Sequence, residues 1–281
     1  RGLGDVYKRQ QDGDAFVLRT EFLIQILEGI HKYLPNIKHV TTYARADSIA
    51  RKSVSELREL KAAGIEHLYC GMETGSDLIL RKINKGFDAA TIIIGGTKAK
   101  EAGMVLSEFT LFGIGGKELA EENAVETAKV LNVIKPDFIR VHATGIKLSS
   151  EMWNYVKNKE LTLQSEEEIV SEQKIMLELL ADDMDCIYMN EHIVNLLLEV
   201  RGNIRTDKQN MLETINTYLQ LPKQEQELFN LGRRLNIMFF LADLNNRAKR
   251  KQTEEGLRKI KAQNPDLDLA FVCNYVRQTQ I

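Results

Sequence analysis

Two acidic residues flank a glycine at Asp12-Gly13-Asp14, and carboxylates so placed can accept hydrogen bonds from an ammonium group. Tyr43-Ala44-Arg45-Ala46-Asp47 supplies Arg45, whose guanidinium can pair with a ligand carboxylate or, within the chain, with Asp47 or Glu73. Gly71-Met72-Glu73-Thr74-Gly75-Ser76 sets the carboxylate of Glu73 among glycines, where it suits ribose hydroxyls or a cationic centre. Gly113-Ile114-Gly115-Gly116 would present backbone N–H groups just before a helix, an arrangement that suits phosphate or carboxylate. His142-Ala143-Thr144-Gly145 opens with a histidine that either faces a substrate or is satisfied by structural hydrogen bonds. Singly, each segment also has a structural reading, because glycine turns follow strands routinely and Asp in such turns bonds its own backbone.

These segments share one position in the chain. Each follows a short β-rich run, and in parallel α/β folds ligands gather at the carboxyl ends of the strands. His39–Ala44, Glu66–Met72, Met104–Phe112 and Asp137–Ala143 read as strands, with the stub of another just before Gln11. Between them Thr20–Tyr33 carries apolar residues at helical spacing, Ser53 with Glu56 forms a capping box, and Ser76–Ile83, Ala89–Ala102 and Glu118–Ile134 read as helices. Strands alternating with helices over short connections predict parallel strands with right-handed crossovers. The spacing predicts an α/β fold, a βα barrel or part of one, with strand order following the sequence. Beyond Ser150 the pattern turns helical: a capping box at Ser165 and Glu168 opens a helix to about Leu180. A loop-rich stretch runs over Asp182–Asp207, and helices follow over Lys208–Leu219, Lys223–Leu244 and Thr253–Ala262. The basic run Arg247–Lys251 reads as a solvated helix end.

Composition narrows the function classes. With 43% hydrophobic and 28% charged residues the chain is globular, and a formal net charge of −2 offers no basic excess to displace counterions from nucleic acid. No apolar run approaches the roughly 20 residues that span a bilayer, and no signal peptide is readable, so a cytoplasmic location is expected. Cys70, Cys186 and Cys273 are too widely spaced for a disulfide framework or a metal cluster.

Taken together, the five segments resemble the core of the radical S-adenosylmethionine (SAM) superfamily, a partial six-stranded βα barrel. The resemblance covers about residues 11–150, with weaker similarity to roughly Leu219. The Asp12-Gly13-Asp14-Ala15 string is similar to a branch with a "DGDA" second-strand motif, and Asn84-Lys85-Gly86 is similar to the coproporphyrinogen-oxidase-like and methylthiotransferase-like branches. The resemblance implies that Asp12, Gly13 and Asp14 contact the SAM amino group. It implies that Glu73 and Thr74 approach the ribose and carboxylate, and that Gly113, Ile114 and Gly115 border the adenine. Arg45 is the candidate partner for a carboxylate of SAM or substrate, and His192 matches a polar motif of the family's C-terminal part. The family's chemistry uses a [4Fe–4S] cluster on a C-x-x-x-C-x-x-C loop, whose open iron chelates SAM. An electron from the cluster, supplied by a donor such as flavodoxin or ferredoxin, cleaves SAM to a 5′-deoxyadenosyl radical that attacks a small-molecule or unknown substrate.

That cysteine loop precedes the second-strand motif in the family, so the cluster ligands are expected upstream of Gln11. Arg1–Gln10 resembles the translation of a transposon-type sequencing adapter and is set aside from the fold. The expected organisation is thus an adapter-like leader at 1–10, a partial barrel at 11–150 lacking its first strand, and a helical extension at 151–281. An unpaired sheet edge in such a fragment predicts aggregation. Two rival readings stand beside the enzyme: a βα-barrel module that binds a nucleotide or phosphate at Gly113–Gly116 without catalysis, and an interaction protein working through Lys208–Ile281.

Overall fold

The computed structural model describes residues 7–10, 13–263, 266 and 268–280; Asp12 and residues 1–6 lie outside them. The chain divides into two compact units, Arg1–Thr110 with Lys129–Arg140, and Leu111–Ala128 with Val141–Ile281.

In the first unit, β1 (Tyr7–Gln10), β2 (His39–Ala44), β3 (Ile65–Glu73) and β4 (Val105–Phe112) pair as parallel neighbours in chain order. Residues 7–10, set aside in the sequence reading, therefore carry the first strand. The crossovers are α1 (Thr20–Tyr33), then α2 (Ala46–Arg51) with α3 (Val54–Ala62), then α4 (Asp77–Lys82) with α5 (Ala89–Glu101). The period-2 pattern is plain in β3. Leu68, Cys70 and Met72 are buried on one face, while His67, Tyr69 and Gly71 are half-buried on the other. The capping box at the start of α3 forms as expected, with the Ser53 hydroxyl accepting from the Glu56 N–H and the Glu56 carboxylate accepting from the Ser53 N–H. Helices α2 and α5 touch through backbone: a Cβ on Gly95 would lie 2.6 Å from the Ala46 carbonyl oxygen, so only glycine allows this approach.

The next elements are α6 (Ala120–Ile134) and β5 (Phe138–Ala143), and strand order across the sheet follows the sequence. The second unit adds α7 (Met152–Lys157), α8 (Glu166–Leu179), the short antiparallel pair β6 (Ile187–Met189) and β7 (Gly202–Asn203), α9 (Ile204–Leu219), α10 (Lys223–Arg234), α11 (Arg247–Gln263) and α12 (Leu269–Thr279). Three expectations change here. The stretch read as loop contains β6 and β7, and α9 begins at Ile204, where the Asn203 side chain accepts from the Arg205 N–H. The helix expected over Lys223–Leu244 stops at Arg234, and Asn236 takes φ +57°. A further helix, α12, occupies the end of the chain.

Helix α10 closes with the Ile237 N–H on the Gly232 carbonyl, and its last turn carries buried arginines. The Glu166 carboxylate, 2% exposed, accepts from Arg234 Nε and Nη2, both at 2.8 Å, and from Arg277 Nη1 at 3.2 Å. Arg233 donates to the carbonyls of Leu196, Ile193 and Asn195. Buried guanidiniums need such acceptors, which for Arg234 are chiefly the Glu166 carboxylate at the start of α8 and for Arg233 the loop carbonyls.

Candidate functional site

The carboxyl end of β3 departs from regular strand geometry. Gly71 pairs with Phe109 and Glu73 with Thr110, so Met72 is an extra residue in the ladder, a bulge of a kind rare between parallel strands. Glu73 then takes φ +64°, and the Thr74 N–H donates to the Met72 carbonyl at 2.8 Å, closing a three-residue γ-turn with positive φ at its centre. For a residue with a side chain this conformation costs about 1–2 kcal/mol. The turn folds the Glu73 carboxylate back over Gly71, where a Cβ would stand 2.6 Å from Glu73 Oε1. Lys85 Nζ pairs with that same oxygen at 2.7 Å. Thr74 is fully buried, its hydroxyl accepting from the Ser76 N–H, and Ser76 caps α4 by accepting from Ile79 N–H.

Arg45 lies at the end of β2 and joins the same group. Its backbone N–H donates to Asp14 Oδ1 at 3.1 Å, and Asp14 Oδ2 accepts from the Ser48 hydroxyl at 2.6 Å. The Arg45 guanidinium donates to Asp47 and, through Nη2, to the Lys85 carbonyl at 2.8 Å, with Phe87 beneath it. Asp14, Arg45, Lys85 and Glu73 are thus linked by consecutive hydrogen bonds. Both oxygens of Asp14 are engaged in holding the turn into α2, and Arg45 forms the intrachain pair with Asp47 that the sequence left open. Gly13 has nothing within 4 Å of its Cβ position and so is not required by packing.

Sequence reasoning missed the residue beneath this strand end. Glu108 of β4 is 1% exposed and sits in register with Cys70. Its carboxyl accepts from the Met72 N–H and the Cys70 thiol, and burial, reinforced by the nearby Glu73 carboxylate, raises its pKa to about 8. Oε2 has no hydrogen-bond partner among the described residues. The available signal was a carboxylate at an apolar position of the period-2 pattern, between Leu106 and Phe112. On the opposite face of these strands, His67 lies 2.8 Å from Ser107 Oγ and stacks on Tyr69 at 4.3 Å. Burial, with Arg140 beside it, lowers its pKa to about 4, which keeps it neutral near pH 7.

In the second unit the glycine turn is enclosed. Gly113, Ile114, Gly115 and Gly116 are all buried, with Ile169 and Gln164 against Gly113 and Leu161 against Gly116. The Gly113 N–H, expected to face an anionic ligand, donates instead to Glu172 Oε2 at 3.0 Å. Glu172 also accepts from Asn123 and Gln164, and burial raises its pKa to about 7. A turn already supplied with its own carboxylate does not favour a phosphate-binding module. His142 and His192 come together, their ring centroids 4.2 Å apart. His192 Nδ1 accepts from the Val194 N–H, and burial lowers its pKa. Asn195 bonds both Ala143 N–H and Val141 carbonyl, acting on β5 as a neighbouring strand would.

Cys70, Cys186 and Cys273 are buried and separate, and among the described residues no group of three or more His, Cys, Asp or Glu could hold a metal. These residues do not fit an iron–sulfur cluster. No helix among the described residues is long and apolar enough to cross a membrane.

No protein-family model and no curated protein matches the chain. Among solved structures it is similar to the archaeal Methanocaldococcus infernus Elp3 with N-terminal deletion, with TM-score 0.50 and 14% identity over 63% of this chain and 45% of that one. It is also similar to coproporphyrinogen III oxidase (HemN) from Escherichia coli, described as a radical SAM enzyme, with TM-score 0.48 and 15% identity over 62% and 40% of the two chains. For methylornithine synthase (PylB) the TM-score is 0.42 and the identity 16%, over 64% and 50%. The chain spans half or less of the length of each. At such identities the likeness is one of fold, and the fold is that of a partial (βα) barrel with parallel strands in chain order.

Proposed function

We propose that this chain is the SAM-binding part of a radical SAM enzyme. The observation that carries the reading is the strained turn at Glu73: a non-glycine residue held at φ +64° at a strand's carboxyl end, its carboxylate clamped by Lys85 beside Arg45. Strain of this kind is maintained where a side chain must be presented in one orientation. SAM, when bound, would supply a cleavable sulfonium–carbon bond. The chain's own residues would bind and orient it: Glu73 accepts from the ribose hydroxyls, and Arg45 pairs with the methionyl carboxylate. Asp12 and Gly13 flank the amino group together with Asp14, and Thr74 fixes the turn.

On this reading a [4Fe–4S] cluster would supply the electron, held by thiolates other than the separate Cys70, Cys186 and Cys273. The reading carries with it a small-molecule substrate, a reductant such as flavodoxin or ferredoxin, and a cytoplasmic, reducing compartment. Calorimetric titration of the 281-residue chain with S-adenosylhomocysteine, a non-cleavable analogue, tests it. Binding that weakens at least about tenfold in Glu73→Ala is expected, because a charge-assisted bond to a buried ligand is worth about 1.5–3 kcal/mol. Equal affinity in Glu73→Ala, or no binding by the wild-type chain, would sink it.

A further inference from the structure

The bulge in β3 leaves one backbone donor without a place in the β3–β4 ladder, and β4 supplies the acceptor from a side chain. Gly71 and Glu73 pair with successive residues Phe109 and Thr110, so Met72 has no partner of its own in the register. Glu108, directly beside Cys70 in that register, bends its carboxyl to the Met72 N–H. The Met72 carbonyl is at the same time the acceptor of the γ-turn around Glu73. One peptide segment is therefore held from both sides: Glu108 on its N–H, Thr74 on its C=O, with Glu73 next in sequence.

We propose that Glu108 is a positioning residue, which by accepting the Met72 amide sets Glu73 in its positive-φ turn and so presents the Glu73 carboxylate; that this carboxylate meets a ligand rests on the reading above. The groups facing Glu108 are Cys70 and Glu73 of β3 and Lys85 of the turn after α4. This set makes the arrangement depend on the charge of Glu108. In the neutral form Lys85 serves Glu73 alone, at 2.7 Å. Once ionised, Glu108 adds a second negative charge to the surroundings of Glu73 and Lys85, in a buried position where Oε2 meets no donor among the described residues. It then repels Glu73 and competes for Lys85. The Glu73 turn is built for a neutral Glu108.

Two measurements separate this inference from the reading it extends. The first needs no ligand: the ¹³C-methyl signal of Met72 is followed by NMR from about pH 6 to about pH 9, where the population of ionised Glu108 changes most. The expected result is a titration with midpoint near 8 that is absent in Glu108→Gln, which keeps the shape and neutrality of the side chain. The same titration in Glu108→Gln, or none in wild type, overturns the proposal. The second is calorimetry with S-adenosylhomocysteine. Wild type should bind about tenfold more weakly at about pH 9 than at about pH 6.5, because roughly one molecule in ten then retains the neutral carboxyl. Glu108→Gln should bind equally at both, and Glu108→Ala weakly at both. Parallel pH curves for wild type and Glu108→Gln also overturn it. Failure of wild type to bind at any pH, with the Met72 titration intact, removes the ligand reading and leaves the positioning role standing.

Discussion

Gly71 has no room for a single methyl group, and the obstacle is not backbone but the Glu73 carboxylate folded over it, 2.6 Å from the Cβ position. Gly71→Ala must therefore displace the Glu73 carboxylate from Lys85, and we expect a loss of about 1 kcal/mol in chemical denaturation. In a Glu73→Ala background the same substitution should cost less than about 0.5 kcal/mol, because the blocking oxygen is gone. An equal cost in both backgrounds would show that the clash lies elsewhere. The Gly-Met-Glu-Thr-Gly-Ser string was legible as a site because glycines beside a carboxylate at a strand end are a local pattern. What the string could not reveal is Lys85, twelve residues on, or Glu108 on the adjacent strand. Those contacts exist only once β3 and β4 are in register. Asp14 is a second case: its residue type was legible, but its bonds to the Arg45 N–H and the Ser48 hydroxyl exist only once its turn lies beside the end of β2.

Elements were legible where their ends carry chemistry of their own. Both capping boxes, at Ser53 and Ser165, form with reciprocal bonds, because serine followed three residues later by glutamate needs no tertiary contact to satisfy the first N–H groups. Ser165→Ala should accordingly lower stability by about 1 kcal/mol, seen as a shift in the denaturation midpoint without a change in slope. A neutral result would mean that α8 is held by its buried face alone. Strands β6 and β7 were not legible, since three and two residues are too few for periodicity and their pairing is antiparallel contact between distant segments. The end of α10 was hidden for a related reason. Leu235 to Leu244 continues an apolar pattern, while Arg233 and Arg234 in the last turn of α10 meet carbonyls of residues 193–196, contacts that exist only in the folded chain. The basic start of α11, unfavourable at a helix N-terminus, is offset by pairing of Lys249 with Asp243 and of Arg250 with Glu225.

Across the molecule, three buried carboxyls respond to pH in opposite senses, and together they fix where the fold is most stable. Glu108 and Glu172 have folded pKa values near 8 and 7, both above the 4.5 of an ordinary glutamate. Folding favours their neutral forms, so their contribution is complete below about pH 4.5 and is lost as pH rises through 7 and then 8. Glu166 is the reverse: Arg234 and Arg277 overcome its burial and hold its pKa near 2, so its contribution is present above 4.5 and is lost as pH falls toward 2. The unfolding midpoint should therefore pass through a maximum on the mildly acidic side and decline in both directions. Glu108→Gln with Glu172→Gln should flatten the alkaline limb and leave the acid limb intact, since neither replacement can ionise. Glu166→Gln should cost about 3–5 kcal/mol at neutral pH, because two buried guanidiniums lose their counter-charge, and its acid limb should shrink. Thermal unfolding of the variants at about ten pH values between about 3 and 9 reads all of this. An alkaline limb unchanged in the double variant would mean that folding raises the pKa of neither buried carboxyl, and the charge dependence assigned to the Glu73 turn would lose its basis.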